Sequence, residues 1–303
     1  MWKVKVAIQF VLSKIPFGEQ VNFYLQNMNN SHSLQNTESR IMTLINEIIA
    51  IKPQFNFSSL VVVEIGTGWD SINALVLYAL GVKTCYTYDH VAHVRFKLAM
   101  MVVEAIKNKI PEISALTSIS EEHLYEKIDK ISGAASLKDL FSKAGIIYNA
   151  PGDASKTGLP DHSVDIVYSY AVLEHVAPAV ISEFDKEAKR ILKKDGLVFH
   201  VIGLHDHYTG IGKGITKVNF LQYSERVWSF FIYNKIAYHN RLREKTFIEL
   251  FKKSGAKVIS VSNEIDDKDI EAIKKMKLAD EFSGFSPEEL AIFKTRVLYT
   301  FSD

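Results

Sequence analysis

The sequence predicts an α/β fold built on a seven-stranded, mostly parallel sheet with helices on both faces. Three observations predict it. From Leu60 onward, short apolar runs alternate with longer amphipathic ones, the pattern of successive βαβ units. The short runs are close to continuously apolar, as strands covered on both faces require. A glycine-bearing turn, Glu64-Ile65-Gly66-Thr67-Gly68-Trp69-Asp70, joins the first run to an apolar-periodic helix.

Residues 1–56 read as an N-terminal helical extension. Its first segment, 1–14, has a basic start and an apolar middle, but Lys5 and Gln9 interrupt that middle and no small-x-small cleavage site follows, so it is not read as a signal peptide. As a helix it carries one apolar stripe. Docking on protein is the preferred reading, with peripheral membrane contact or a homodimer interface as alternatives. A second helix is expected over 31–51, with Ser33 or Asn36 as cap, an apolar series at Ile41, Leu44, Ile45, Ile48 and Ile49, and Pro53 as its end.

The main domain is expected over 57–303. Strands are placed at 60–65, 84–88, 146–149, 164–168 and 197–202, with helices at 71–80, 91–107, 180–192 and 244–254. Two final strands, 257–262 and 295–301, should form a hairpin-like edge with the last strand antiparallel. Two stretches exceed what such a sheet needs. One near 111–145 reads as an inserted helix pair broken at Ser132-Gly133, and one at 205–240 is rich in His, Tyr, Phe and Gly. Long connections at the carboxyl end of a parallel sheet commonly form a substrate-facing wall.

Composition narrows the function classes. The 36 Lys and Arg almost equal the 35 Asp and Glu, so no whole-protein positive field collects nucleic acid, and none is expected as partner. Cys85 is the only cysteine, which excludes an intramolecular disulfide and a cysteine-rich zinc site. No run approaches the roughly 20 apolar residues of a membrane-spanning helix. A soluble, cytoplasmic protein is expected.

The glycine turn carries the chemistry, because residues without a Cβ let the backbone bend sharply and approach a ligand closely. By itself it fits a nucleotide-type pocket or a tightly packed turn equally well. Asp89 ends the second strand about 20 residues on, the spacing at which an acidic side chain accepts from ribose hydroxyls, although an Asp there also caps helices. Further on come Gly152-Asp153-Ala154 after the third strand and Ser169-Tyr170-Ala171-Val172-Leu173-Glu174-His175-Val176 after the fourth. Residues 187–197 then lead into the fifth. This series resembles the class I S-adenosylmethionine-dependent methyltransferases, of the type 11 methyltransferase-domain kind, over roughly residues 57–262.

The resemblance implies a Rossmann-like fold and S-adenosylmethionine as cofactor. Glu64, Gly66, Thr67 and Gly68 would surround the methionine moiety, Asp89 the ribose, and Asp153 with Ala154 the adenine edge. Ser169 joins the cofactor set, and His90 either stacks near adenine or merely starts a helix. The physics agrees, since an ammonium needs acceptors, ribose offers hydroxyl donors, and an exocyclic amine needs an acceptor. Asp70 and Ser71 stand where a nicotinamide-binding turn has its third glycine, which counts against a dehydrogenase. Trp69 either walls the methionine end or packs under the helix.

A sulfonium methyl is already activated, so the protein chiefly aligns donor and acceptor, and a hydroxyl acceptor also needs a base. His205, Asp206 and His207, after the fifth strand, are the catalytic candidates, with His207 first. This element, and Asn240-Arg241 further on, resemble methyltransferases of bacterial surface-polysaccharide gene clusters. There Arg241 would hold a phosphate or sugar. His175 and Tyr208 complete the expected substrate set. The function expected is O-methylation of a sugar or glycan-linked small-molecule hydroxyl. Transfer to nitrogen, carbon or phosphate, and a non-catalytic binding module, are the alternatives. No metal is assigned, the alternative being a divalent site made by Asp206 with the histidines.

Overall fold

A computed structural model of the chain describes residues 2–18, 21–22, 33–51, 57–209, 215–232 and 238–301. Pro53 and parts of the 205–240 connection lie outside the described residues. Seven strands form the sheet: β1 (Val61–Ile65), β2 (Thr84–Tyr88), β3 (Ile146–Asn149), β4 (Val164–Tyr170), β5 (Leu192–Gly203), β6 (Ala256–Ile265) and β7 (Ile292–Phe301). Their order is β3-β2-β1-β4-β5-β7-β6. β1 runs parallel to β2 and β4, β2 runs parallel to β3, and β6 and β7 pair antiparallel. This is the Rossmann-like arrangement expected, with the antiparallel pair at one edge. Val63 stands opposite Tyr86 on one side and Val167 on the other, so β1 is fully flanked and its side chains are buried.

The chain divides into two compact units. One comprises 30–170 with 184–199 and holds β1 to β4. Its helices include α2 (Leu34–Ile51), α3 (Ile72–Ala79) and α4 (Phe96–Asn108). Ile41, Leu44, Ile45 and Ile48 of α2 are buried, the face that the apolar spacing marks out. The stretch expected as a helix pair is three helices: α5 (Ile110–Thr117), α6 (Glu121–Ser132) and α7 (Leu137–Ala144). Pro111 fits the first turn of α5, and the side chains of Ser120 and Ser136 accept from backbone N–H groups to cap α6 and α7. Gly133 ends α6, where the break was read.

Two boundaries differ from expectation. α4 begins at Phe96, five residues late, because 91–95 is held in a loop: Val91 N–H donates to Asp89 Oδ1 and Arg95 N–H to the Trp69 carbonyl. β5 begins at Leu192, five residues before the expected 197, so part of the stretch read as leading into it lies inside the strand. A Cβ at Gly196 would sit 2.8 Å from Leu192 Cδ2 and 2.9 Å from the Lys193 carbonyl, a close approach only glycine permits.

The other unit comprises 1–29, 171–183 and 200–302. Its core gathers Tyr208, Val218, Phe220, Leu221, Trp228, Phe282 and Leu290. α1 (Trp2–Leu12) contributes Val6 to that core and buries Gln9 and Leu12, while Val4, Ile8 and Val11 face outward. The Tyr208 hydroxyl donates to Gln9 Oε1 at 3.0 Å. The charged sequence between β6 and β7 forms two further helices, Asp267–Lys275 and Pro287–Ala291, the second closed by a Ser286/Glu289 capping box. No helix among the described residues is long and apolar enough to cross a membrane.

Candidate functional site

The glycine turn lies at the end of β1. Glu64 is fully buried and neither of its carboxylate oxygens has a hydrogen-bond partner. Burial pushes its pKa up to about 7. The neighbouring Thr87 and Asn73 side chains favour the charged form but stand outside hydrogen-bonding geometry, and the Asp89 and Asp70 charges oppose it. Gly66 and Gly68 adopt φ of 84° and 69°, and a Cβ on Gly68 would meet nothing within 4 Å. The backbone there turns left-handed beside open space, an arrangement suited to a ligand lying on the main chain. Thr67 is buried and its hydroxyl lies 2.6 Å from that of Thr87.

Asp89 ties this turn to the next strand. Gly68 N–H donates to Oδ2 at 3.1 Å and Val91 N–H to Oδ1 at 3.3 Å, and His90 Nδ1 stands 3.2 Å from Oδ1. Burial would raise the Asp89 pKa, but these three partners outweigh it and hold the carboxyl below its ordinary value. His90 is exposed at the surface. Trp69 is half-buried, with His93 at 4.3 Å between ring centroids and the Arg95 guanidinium 5.8 Å from its ring. Asp70, at the third-glycine position, forms an ion pair with Arg40 at 2.6 Å and accepts from Ile72 N–H at 3.3 Å.

The third expected element meets the second through main-chain bonds. Asp89 N–H donates to the Asn149 carbonyl at 3.1 Å, and Gly152 N–H to the Asp89 carbonyl at 2.8 Å. A Cβ at Gly152 would lie 2.5 Å from the Asn149 carbonyl oxygen, so only glycine fits. Asp153 is exposed, and its Oδ1 accepts from the Ser155 N–H and hydroxyl at 2.8 and 2.6 Å. Ala154 is buried, and Ser169 is buried in β4 opposite Ile65.

The histidines belong to the unit containing 171–183 and 200–302. Glu174 is buried, with Oε1 accepting from Gly203 N–H at 3.2 Å and Oε2 without a partner. A Cβ on Gly203 would stand 2.7 Å from that Oε1, so the glycine makes room for the carboxyl. Burial pushes the Glu174 pKa up to about 8. His207 has three imidazole neighbours: His239 at 4.7 Å, His175 at 4.8 Å and His205 at 5.0 Å between centroids. His175 Nδ1 lies 2.6 Å from the Tyr238 carbonyl, and His239 Nδ1 accepts from Arg241 N–H at 3.1 Å. Surrounding protein lowers the pKa of all four rings, and neighbouring imidazoles add to this for His205, His207 and His239. His175 and His207 have exposed surface, yet the protein packed around His207 still lowers its pKa to about 3.

Three of the residues expected at the site point inward in this unit. Asp206 is buried and bonds Tyr208 N–H at 2.8 Å and the Asn219 amide at 3.0 Å, so it fastens its own loop rather than orienting an imidazole. Tyr208 belongs to the apolar core, with its hydroxyl spent on Gln9. Arg241 is buried too. It donates to the Phe220 and Tyr223 carbonyls, pairs with Glu225 at 2.5 Å, and stacks over Trp228 and Phe282. Those contacts make it a strut between loops rather than a holder of sugar or phosphate.

Residues 128–200 match the family model described as a methyltransferase domain. The match takes in Asp153, Ser169, Glu174 and His175 and stops short of both the glycine turn and the 205–208 loop. No curated protein matches the chain. Among solved structures, the chain is similar to the complex between the Haloferax volcanii Trm112 methyltransferase activator and the putative methyltransferase. The identity is 17%, with 89% of this chain and 94% of that chain covered, at a TM-score of 0.46. It is similar to a putative S-adenosylmethionine-dependent methyltransferase from Listeria monocytogenes at 12% identity, covering 86% and 99%, TM-score 0.44. One from Mesorhizobium loti gives 15% identity, 84% and 97%, TM-score 0.42.

Sequence reasoning missed His93 and His239. His93 falls in the stretch expected to be helical, where its ring would not be singled out. His239 lies in the long connection two residues before Arg241, and only the fold brings it to His207. The buried Arg243, donating to the Leu204, Leu290 and Ile292 carbonyls, was also unmarked.

Proposed function

We propose that this protein is a class I S-adenosylmethionine-dependent methyltransferase that O-methylates a sugar or glycan-linked small-molecule hydroxyl. The observation that carries the reading is Glu64, a fully buried carboxyl with two unpartnered oxygens at the end of β1, where the glycine turn begins. A buried acceptor without a donor is costly, and a ligand ammonium supplies the missing one. Asp89, held ionised by its partners, retains lone pairs for ribose hydroxyls, and Asp153 keeps Oδ2 for an exocyclic amine. When bound, the cofactor supplies a methyl group already activated by its sulfonium.

The chain's residues then bind and orient. His207 is assigned as the base that takes the acceptor hydroxyl's proton, because its ring is exposed after β5. With burial of its surroundings and the neighbouring imidazoles lowering its pKa to about 3, it is neutral at pH 7 with a lone pair open to the proton, though a weak base. The sugar-type acceptor rests on the resemblance of the 205–207 element. The single cysteine, Cys85, fits a cytoplasmic setting.

Calorimetry with S-adenosylmethionine tests the cofactor assignment. Wild type should bind, and Asp89→Ala should bind at least about tenfold more weakly, as expected when a buried charged acceptor is lost. Absence of binding by the folded wild type would overturn it. A mass-spectrometric screen of activated sugars and glycans with labelled cofactor tests the acceptor. His207→Ala should lose turnover while still binding cofactor. Unchanged turnover in His175→Ala, His205→Ala and His207→Ala would favour transfer to nitrogen, carbon or phosphate, which needs no base.

A further inference from the structure

We propose that Glu174, His175 and His207 form a binding site for one divalent transition-metal ion of the Zn²⁺ type. Each of the three offers one ligand atom, and these atoms all lie within 4.8 Å of one another. The set is two imidazole nitrogens and one carboxylate oxygen, a donor combination that Zn²⁺ and its neighbours take with positions left open. A tetrahedral set at 2.0–2.1 Å has edges of about 3.4 Å, so no pair of ligand atoms has to close by more than about 1.4 Å on binding. His207 is exposed between the buried Asp206 and Tyr208, so rotation of its side chain supplies that movement.

Three independent features point to a cation. Glu174 is buried, Oε1 is pinned by Gly203 N–H, and Oε2 has no partner, which leaves a buried acceptor whose demand a metal ion meets. The His175 Nδ1 faces the Tyr238 carbonyl at 2.6 Å; a carbonyl only accepts, so Nδ1 carries the proton and Nε2 presents its lone pair. That is the outer bond by which metal-binding histidines are oriented. Finally, His205 and His239 crowd His207 without adding a second carboxylate, a packing of imidazoles that suits soft-to-borderline ions better than Mg²⁺ or Ca²⁺. His239 Nδ1 already accepts from Arg241 N–H, so its Nε2 holds the proton and it stays outside the ligand set.

The site does not rest on the methyl-transfer reading. The His207 lone pair cannot hold an ion and a proton at once, so bound metal competes with a free-base role for that ring.

The test uses the full-length chain, stripped with chelator, without S-adenosylmethionine. Zn²⁺ titration by calorimetry should give one equivalent per chain. Co²⁺ should give visible d–d bands that Zn²⁺ abolishes and millimolar Mg²⁺ does not. Glu174→Gln, which keeps the acceptor for Gly203 N–H, and the surface substitution His207→Ala should each weaken uptake about tenfold or more with circular dichroism unchanged. His123→Ala, at an exposed helical position of the other unit, should bind as wild type. Absence of a Co²⁺ band, displacement by Mg²⁺, or equal uptake by wild type and all three variants would overturn the site. Failure of cofactor binding in the calorimetry above, with the Co²⁺ band intact, would leave the metal site standing and remove only the methyltransferase reading.

Discussion

Glu64 shows how a single residue is recruited against its own solvation preference. Its pKa rises from 4.5 to about 7 because burial penalises the charge by more than the neighbouring Thr87 and Asn73 side chains favour it. Between those values the folded chain holds a proton that the unfolded chain has released, so this group's contribution to stability falls as pH rises through that window. Glu64→Gln should remove the slope. At pH 8 the ligand-free variant should be more stable than wild type by on the order of 2–3 kcal/mol in urea unfolding, with little difference at pH 4.5. Equal pH slopes for the two proteins would contradict this account. His200 runs the other way. It is buried, with Nε2 3.1 Å from the Tyr299 hydroxyl, and burial lowers its pKa to about 3. The unfolded chain therefore binds the extra proton below pH 6.5, and stability is lost as pH falls from there towards 3. His200→Gln should unfold less steeply with acid, by a few kcal/mol at most, on a pH series of melting curves. Asp89 and the glycines were legible in the sequence because their positions follow from strand ends. The burial of Arg241 was not legible there, because a charged side chain in a long connection carries no local sign of what packs around it.

At the scale of elements, the turns are where one atom decides. Gly203 closes β5 against Glu174, and a methyl group there would collide with Oε1. Gly203→Ala should cost about 1–3 kcal/mol in denaturant unfolding and displace the carboxyl, so that Co²⁺ uptake falls with it. Gly68 differs, since space is free around its Cβ and only the left-handed φ of 69° resists substitution. Gly68→Ala should therefore cost about 1 kcal/mol in stability while weakening S-adenosylmethionine binding, through the side chain's intrusion into the ligand's space. The strands were readable from apolar runs. The late start of α4 was not, because it depends on Trp69 and Asp89 each offering an acceptor to residues 91–95. Periodicity sees the spacing of apolar side chains, and these bonds are made by main-chain N–H groups to one carboxylate and one carbonyl.

For the molecule as a whole, the N-terminal helix is the informative part. Val6 and Gln9 reach the core around Tyr208, Phe220 and Trp228, far along the chain from them. Deleting 2–14 should lower amide protection at 208, 218–221 and 282–290 in hydrogen exchange while leaving β1 to β4 protected. Uniform loss across both units would show that the chain unfolds as one. The apolar stripe of this segment was visible from its composition; its partner was not, since no local pattern specifies a contact about 200 residues away. By itself the sequence determined the strand pattern, the parallel core of the sheet and the glycine turn with Asp89, because each depends on local periodicity and on chemistry confined to strand ends. Only the tertiary structure decided that the Glu64 oxygens lack hydrogen-bond partners, that Asp206, Tyr208 and Arg241 are buried with partners of their own, and that Glu174, His175 and His207 converge. Burial and long-range proximity are properties of packing, and packing is settled by the whole chain at once.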